Sequence, residues 1–117
     1  MELEFNRDSI EVNWIYDYKL IKVQKFNILD AVVQQESILV IYEDQEFGYP
    51  HLACYNLNGS LRFEIQSTDS FGILRFTSQH GIDIPVVGWI KENGEYNDYY
   101  FSVNIKSGSL KKYGRAY

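Results

Sequence analysis

The stretch of sequence that decides the fold class spans residues 55–63 and reads YNLNGSLRF. At its centre stands Asn58-Gly59, and because both residue types accept positive φ, this dipeptide is a strong signal for a tight turn between two strands. After the turn, residues 61–65 alternate between apolar and charged side chains, as a half-buried strand requires. The sequence therefore predicts a β-hairpin at this position.

Similar strand signals recur along the chain, separated by Gly, Asn, Asp and Ser. Residues 101–106 alternate in the same way, and Ser107-Gly108 supplies a second hairpin turn. Uninterrupted apolar runs at 38–42 and 86–90 are typical of central strands that are covered on both faces. Residues 27–35 fit either a short capped helix or a strand, and their β-branched valines favour the strand.

An internal repeat connects these pieces. Residues 40–44 resemble residues 88–92, and the hairpin at Asn58-Gly59 resembles the one at Ser107-Gly108, with each match roughly 50 residues apart. A repeating strand pattern of this length predicts that the chain is built from similar antiparallel units.

We expect full units at 28–66 and 72–113 and a partial unit at 12–26, all within one domain, 1–117. A four-stranded antiparallel unit of this size resembles a propeller blade, and residues 55–63 resemble the outer hairpin of such a blade. About two and a half blade-like units are too few to close a propeller, which typically has 4 to 8 blades. The predicted architecture is therefore all-β, an antiparallel meander of about ten strands that forms an open sheet or a sandwich.

Alternation also predicts which large side chains are buried. We expect the core to contain Trp14, Ile41, Phe63, Trp89, Val103 and Ile105.

Charge and hydropathy exclude several kinds of partner. The formal net charge of −5 argues against a nucleic-acid backbone, because phosphate binding depends on net positive charge. The longest apolar runs fall far short of the roughly 18 residues that a membrane-spanning helix needs, and the acidic first residues lack a signal-peptide pattern. We therefore expect a cytoplasmic chain without nucleic-acid or membrane partners.

Residues that could support catalysis are few. Cys54 stands alone in an apolar run, which predicts a buried small hydrophobe, and neither His51 nor His80 has a second ligand at a metal-binding spacing. No nucleophile elbow, glycine-rich phosphate loop or carboxylate pair stands in a recognisable context. The sequence thus predicts no enzymatic activity, no cofactor and no metal.

Two acidic segments rich in aromatic residues form the candidate functional surface. Residues 43–49 and 92–100 occupy corresponding polar loops of the two units, so the repeat would place them on one edge of the sheet. Such segments are also typical of solvated loops, but carboxylates and tyrosines together suit a basic protein partner, because aromatic rings anchor and carboxylates steer and bind Lys or Arg. We refer to this surface as the acidic edge. Its predicted partner-binding residues are Glu43, Asp44, Glu46, Phe47, Tyr49, Glu92, Glu95, Tyr96, Asp98 and Tyr99, with Tyr100 beside them.

A smaller basic cluster follows near the C-terminus. We expect a frayed, solvated tail there, with contact to RNA as the alternative. Its residues are Lys106, Lys111, Lys112, Tyr113, Arg115 and Tyr117.

In size, charge and lack of catalytic motifs, the whole chain resembles the small acidic immunity proteins of bacterial toxin–immunity pairs, including those of contact-dependent growth inhibition. That resemblance implies a 1:1 complex with a cationic toxin, a nuclease, whose active site the chain covers. Carboxylates would then occupy phosphate subsites, and tyrosines would pack where bases stack. Two alternatives stay open: a structural or assembly domain that uses exposed strand edges, and a small hydrolase.

Overall fold

The structure, a computed structural model, describes residues 1–116 and contains nine β-strands and, within those residues, no helix. The strands are β1 (Ser9–Tyr16), β2 (Lys19–Gln34), β3 (Ser37–Glu43), β4 (Pro50–Asn56), β5 (Leu61–Ile65), β6 (Phe71–Phe76), β7 (Pro85–Glu92), β8 (Glu95–Asn104) and β9 (Ser109–Arg115). The all-β prediction is confirmed, with nine strands in place of about ten. The strand interpretation of residues 27–34 is also confirmed, because they belong to β2. Among the described residues there is no helix that could cross a membrane.

The strands form two open antiparallel sheets, β1-β2-β3-β4-β5 and β6-β7-β8-β9. Each strand pairs only with its neighbours in sequence, so the meander is confirmed. The hairpins at Asn58-Gly59 and Ser107-Gly108 connect the last two strands of the respective sheets. β2 runs through residues 26–28, where the partial unit was predicted to end, but its pairing is irregular there and Asn27 takes a positive φ of 48°. The repeat itself stays a prediction, and superposing residues 38–65 on 86–113 would test it.

Three connections are two-residue turns with positive φ at both central residues: Asp17-Tyr18, Gln35-Glu36 and Asn93-Gly94. This is the turn geometry that matches the twist of the flanking strands.

The predicted hairpin at Asn58-Gly59 is confirmed, but of these two residues only Gly59 takes a positive φ (92°), so the turn is not of the two-residue type. A longer connection forms there, in which Gly59 N–H donates to the Asn56 carbonyl. The side-chain oxygen of Asn58 accepts a hydrogen bond from the backbone N–H of Ser60, 3.0 Å away. In addition, Trp14 Nε1 donates to the Leu57 carbonyl (2.7 Å), which fixes the wider turn against β1.

Two cores lie on the two faces of the first sheet. In the first core, Val12 and Trp14 of β1 pack with Ile38 and Val40 of β3, because the long strand β2 folds the edge of the sheet back over its centre. The second core lies between the sheets and joins residues such as Leu39 to residues of the second sheet. β3 is consequently buried on both faces, as predicted for residues 38–42. Residues 86–90 meet that prediction only in part, because burial falls off at the end of the run.

The core prediction is confirmed for Trp14, Ile41, Val103 and Ile105, and Cys54 is buried and free as expected. It is wrong for Phe63 and Trp89, which are half-buried.

The physical reason for each exception lies in its position. Phe63 belongs to the edge strand β5 and lies against Gly108, where an added Cβ would come within 2.9 Å of its ring. Trp89 points away from the inter-sheet core, and its indole lies across Gly72, where an added Cβ would come within 2.3 Å of the ring.

The expectation of a frayed C-terminus is wrong for the described residues. Residues 109–115 form β9, which pairs with β8 through contacts such as Val103 with Leu110. This pairing orders the basic cluster, apart from Tyr117, which lies outside the described residues.

Candidate partner-binding site

An open depression of about 960 Å³ lies between the β3–β4 loop and the β5–β6 connection. Its lining carries several carboxylates, and among the described residues that line it, the one ionisable side-chain nitrogen belongs to a histidine. We refer to it as the acidic depression. The lining residues are Tyr42, Asp44, Gln45, Glu46, Phe47, Tyr49, His51, Gln66, Ser67, Thr68 and Asp69.

Asp44 holds the β3–β4 loop in shape. Its Oδ1 accepts hydrogen bonds from the backbone N–H of Phe47 (2.6 Å) and of Gly48 (3.0 Å). Its own N–H donates to the Tyr49 carbonyl (2.9 Å), which closes the loop. The bond from the Phe47 N–H, followed by those from His51 and Gly48, lowers the pKa of Asp44 from its ordinary value of 3.8. The carboxylate and the backbone N–H of Asp44 therefore both form hydrogen bonds within the loop.

His51 connects that loop to the rest of the sheet. The side chain is buried on β4, and its Nε2 lies 2.8 Å from Asp44 Oδ2. Its Nδ1 accepts the backbone N–H of Ser67, also at 2.8 Å. Since Nδ1 serves as an acceptor, the proton of the neutral imidazole must lie on Nε2, which donates it to Asp44. One histidine thus fixes the loop on one side and the β5–β6 connection on the other.

A serine, a histidine and an aspartate meet here, but their geometry differs from that of a catalytic triad. The buried hydroxyl of Ser67 donates to the Pro50 carbonyl and accepts the Ile73 N–H (2.9 Å). His51 faces the backbone nitrogen of Ser67, not the hydroxyl. A serine nucleophile needs its hydroxyl hydrogen-bonded to the base. This group therefore stabilises the walls of the depression.

The exposed wall of the depression is aromatic and acidic. Phe47 is 67% exposed, and its ring stacks on Tyr49 with 5.6 Å between centroids. Tyr49 donates its hydroxyl to Asp69 Oδ1 (2.9 Å), and this bond raises the pKa of Tyr49. Asp69 and Glu46 are both exposed. Flat aromatic faces beside carboxylates can bind an ammonium or guanidinium group.

The prediction that residues 92–100 form a polar loop is wrong. Glu92 ends β7, Asn93-Gly94 makes a two-residue turn, and residues 95–100 belong to β8. The physical reason is that Asn-Gly reverses the chain in two residues, so pairing continues up to the turn.

Within β8, Tyr96 is 60% exposed and contacts Trp89 edge to face at 5.2 Å. On the facing strand, Lys91 Nζ lies 5.6 Å from the centre of the Tyr96 ring.

Glu92 and Tyr99 are engaged within the chain. Tyr99 donates its hydroxyl to Glu92 Oε1, and this bond is the main cause of the lowered pKa of Glu92. The ring of Tyr99 faces two cations of β9, Lys112 Nζ at 4.6 Å and the Arg115 guanidinium at 5.5 Å. The basic cluster therefore neutralises this part of the predicted acidic edge.

The structure nonetheless brings the end of the first segment near the second segment. Tyr96 lies near enough to Tyr49 to contribute to its raised pKa. Beside Asp69, the Ser70 carbonyl accepts the Lys91 N–H (2.8 Å), which joins the β5–β6 connection to β7.

The remaining predicted partner-binding residues differ in their exposure and in their contacts within the chain. Glu43 accepts a hydrogen bond from the Asn27 amide, and Asp98 lies opposite Trp89 within the sheet. Tyr100 is half-buried on β8, whereas Glu95 is exposed beside the turn.

Sequence reasoning missed Asp69, Ser67 and the part that His51 plays. Asp69 stands in the polar run 67–70 between two strands, which locally is typical of any loop. Only the approach of this run to β4 shows that it belongs to the site. Among the described residues, no group of three His, Cys, Asp or Glu side chains could hold a metal ion.

Comparison of the chain with family models, with curated proteins and with solved structures finds no match in any of the three.

Proposed function

We propose that this chain is a protein-binding domain whose acidic depression takes a basic segment of a partner protein. The observation that supports it best is the pair of exposed carboxylates, Glu46 and Asp69, beside the stacked rings of Phe47 and Tyr49. Carboxylates of this kind speed the encounter with a cationic surface and form charge-assisted hydrogen bonds after it. The aromatic rings supply rigid contact area at low entropic cost.

The anchoring of the loop supports this proposal. Asp44 and His51 hold the segment that carries Glu46 and Phe47, so little ordering is needed when a partner binds. Lower ordering cost leaves more of the interaction energy for affinity.

The more specific proposal is that the chain is an immunity protein and that its partner is a cationic nuclease toxin. Its net charge of −5 matches a partner that binds nucleic acid. In the 1:1 complex, the exposed carboxylates would occupy positions where the toxin holds phosphates, and the complex would form in the cytoplasm without nucleic acid or membrane.

The immunity assignment predicts that the neighbouring reading frame encodes a cationic toxin, and the experiment measures association with the domain encoded there, by stopped-flow fluorescence over a series of salt concentrations. Glu46→Lys should slow association about tenfold at low salt, because like-charge approach replaces steering. The matched control is Glu36→Lys at the β2–β3 turn, which changes an exposed carboxylate to the same residue away from the depression. The control should associate at nearly the rate of the unchanged chain.

A second pair of variants and a growth assay set the limits of the proposal. Reversal of Lys111 and Lys112 to Glu should leave binding intact. If that reversal abolished binding while Glu46→Lys did not, the acidic depression would be the wrong surface. Binding without protection of a bacterial host that expresses the toxin would remove the immunity assignment and keep the binding domain.

A further inference from the structure

The outer face of the β1–β2 hairpin exposes a row of large apolar side chains. Ile15 and Leu20 pair across the strands beside the turn and are 60% and 54% exposed. At the other end of the hairpin, Phe26 follows Lys22 and Gln24 on the same face and is 48% exposed. Apolar side chains gathered on one face of a strand pair are typical of an interaction surface. We refer to this surface as the hairpin face.

Strand alternation determines which residues share this face. Val12, Trp14 and Val23 point into the first core. The side chains between them, Asn13 on β1 and Lys22 on β2, must therefore point outward.

Charges of both signs lie between the two apolar ends. Glu4 pairs with Asn13 and Asn13 pairs with Lys22, so these three side chains form one row across the face. In the next row, Glu11 pairs with Gln24. The hairpin face thus carries an apolar pair at the turn end and Phe26 at the far end, with an acidic side and a basic side between them.

We propose that the hairpin face binds a second copy of this chain across a two-fold axis. A two-fold interface uses the same patch on both copies, so the patch must complement itself. With the turn end of one hairpin over the far end of the other, Ile15 and Leu20 contact Phe26 of the second copy. The same arrangement brings Lys22 beside Glu11 of the second copy.

The shape at the turn end supports this occupant. A depression of about 330 Å³ lies between the first residues of the chain and the hairpin, with Met1, Ile15 and Leu20 in its lining. An apolar side chain of the second copy has room to insert there. By the two-fold symmetry, the same insertion occurs in the depression of the other copy.

The turn end of the hairpin face lies apart from the acidic depression, whereas the far end lies beside it, because Asn27, next to Phe26, donates to Glu43 at the end of β3. The turn end lies beside the β4–β5 connection, where Trp14 Nε1 donates to the Leu57 carbonyl. His51 and the β3–β4 loop lie at the opposite end of β4. Leu20→Glu at the turn end therefore leaves the acidic depression itself unchanged, so the two proposals are tested separately.

The experiment is sedimentation equilibrium of the full chain over a concentration series. The average mass should rise with concentration from the 13.8 kDa of one chain toward twice that value. Leu20→Glu should hold the mass at one chain, because it places a carboxylate in the apolar contact. The matched control is Leu61→Glu on the edge strand β5, at a side chain that is 53% exposed, and it should dimerise like the unchanged chain. Circular dichroism should show the same strand content for all three proteins.

Charge reversal tests the two-fold axis itself. Lys22→Glu and Glu11→Lys should each weaken dimerisation, and the double variant should restore it, because the two positions face each other in this arrangement. A chain that stays single up to about 1 mM would overturn the proposal, as would its capture of a different protein by this face without self-association. A dimer that Leu20→Glu leaves unchanged would also overturn it, because the contact would then lie on another surface, such as the free edge of β9.

Discussion

The β3–β4 loop at residues 44–49 and the β7–β8 turn at residues 93–94 have similar acidic surroundings, but they are built by different means. The turn depends on the backbone, because Asn93 and Gly94 take φ values of 51° and 78° and the strands pair up to it. The loop depends on side chains, since Asp44 binds two backbone N–H groups and His51 ties it to β4. A carboxylate near a chain reversal can therefore shape the loop or face a partner, and the difference is visible only in its contacts.

The largest expected effect is the loss of His51. His51→Ala should lower the free energy of unfolding by about 2 to 4 kcal/mol, because it leaves a cavity and deprives the buried Ser67 N–H of its acceptor. Urea denaturation measures the change. The control is the exposed histidine, since His80→Ala should stay within about 0.5 kcal/mol of the unchanged chain. Equal losses for the two variants would mean that the loop does not depend on its side-chain anchor.

A smaller, pH-dependent effect is expected for Asp44→Asn. The pKa of Asp44 is lowered in the folded chain, so its charged form stabilises the fold above the ordinary value of 3.8, and this contribution is lost as pH falls through the folded pKa. Thermal unfolding should therefore show the variant less stable than the unchanged chain at neutral pH, with the gap closing below about pH 4.

Glu46→Gln is the control for that experiment, because Glu46 lies on the same loop and is exposed. Its unfolding curve should follow that of the unchanged chain at every pH. A gap for Asp44→Asn that stayed constant with pH would mean that the charge of Asp44 does not contribute.

In the β7–β8 turn, the stability of the chain should depend on backbone conformation and not on side-chain contacts. Gly94→Ala should cost about 1 kcal/mol, because an added Cβ meets nothing within 4 Å but Gly94 takes a positive φ of 78°. Gly114→Ala provides the matched control, since its Cβ also meets nothing within 4 Å and no positive φ is required. Denaturant midpoints of the two variants give the comparison, and a midpoint shift in Gly114→Ala as large as that in Gly94→Ala would show that strain in the turn is not the cause.

The smallest effect concerns the charges that flank the turn. Glu92 and Glu95 lie directly opposite each other, and like charges at such a pair are unfavourable. Glu95→Lys should therefore raise the free energy of unfolding by less than about 0.5 kcal/mol, and Glu95→Gln by less than that. The increase should shrink in concentrated salt, as measured by denaturation at two ionic strengths. A destabilised Glu95→Lys variant would indicate a structural contact for this carboxylate.

The sequence was sufficient for the strands because their signals are local. Alternation and turn dipeptides involve neighbouring residues, and these decide where a strand runs and where it reverses. Asn93-Gly94 is the same turn dipeptide as Asn58-Gly59. The polar residues around it are typical of a longer loop, and they obscured the turn signal. Alternation also fails where both faces are apolar, as in residues 86–90, and this is why Trp89 was assigned to the wrong side.

The anchoring group of the site could not be found in this way. Asp44, His51 and Ser67 come from three separate segments, and the pairing of β3 with β4 and the return of the β5–β6 connection bring them together. No spacing rule links residues that meet through strand pairing and a later connection. Asp69 belongs to the site for the same reason.

The meander also determines the order in which the chain can fold. Within each sheet, every strand after the first pairs with the strand made just before it. The first sheet therefore needs nothing beyond β5 to complete its hydrogen bonds, and short-range pairing of this kind closes quickly. The inter-sheet side of that sheet, with Leu39, Ile41 and Leu52, gains its cover only when β6 to β9 have been synthesised. During synthesis, the growing chain therefore passes through a stage in which a finished sheet presents a bare apolar side, and a chain truncated after residue 65 should aggregate.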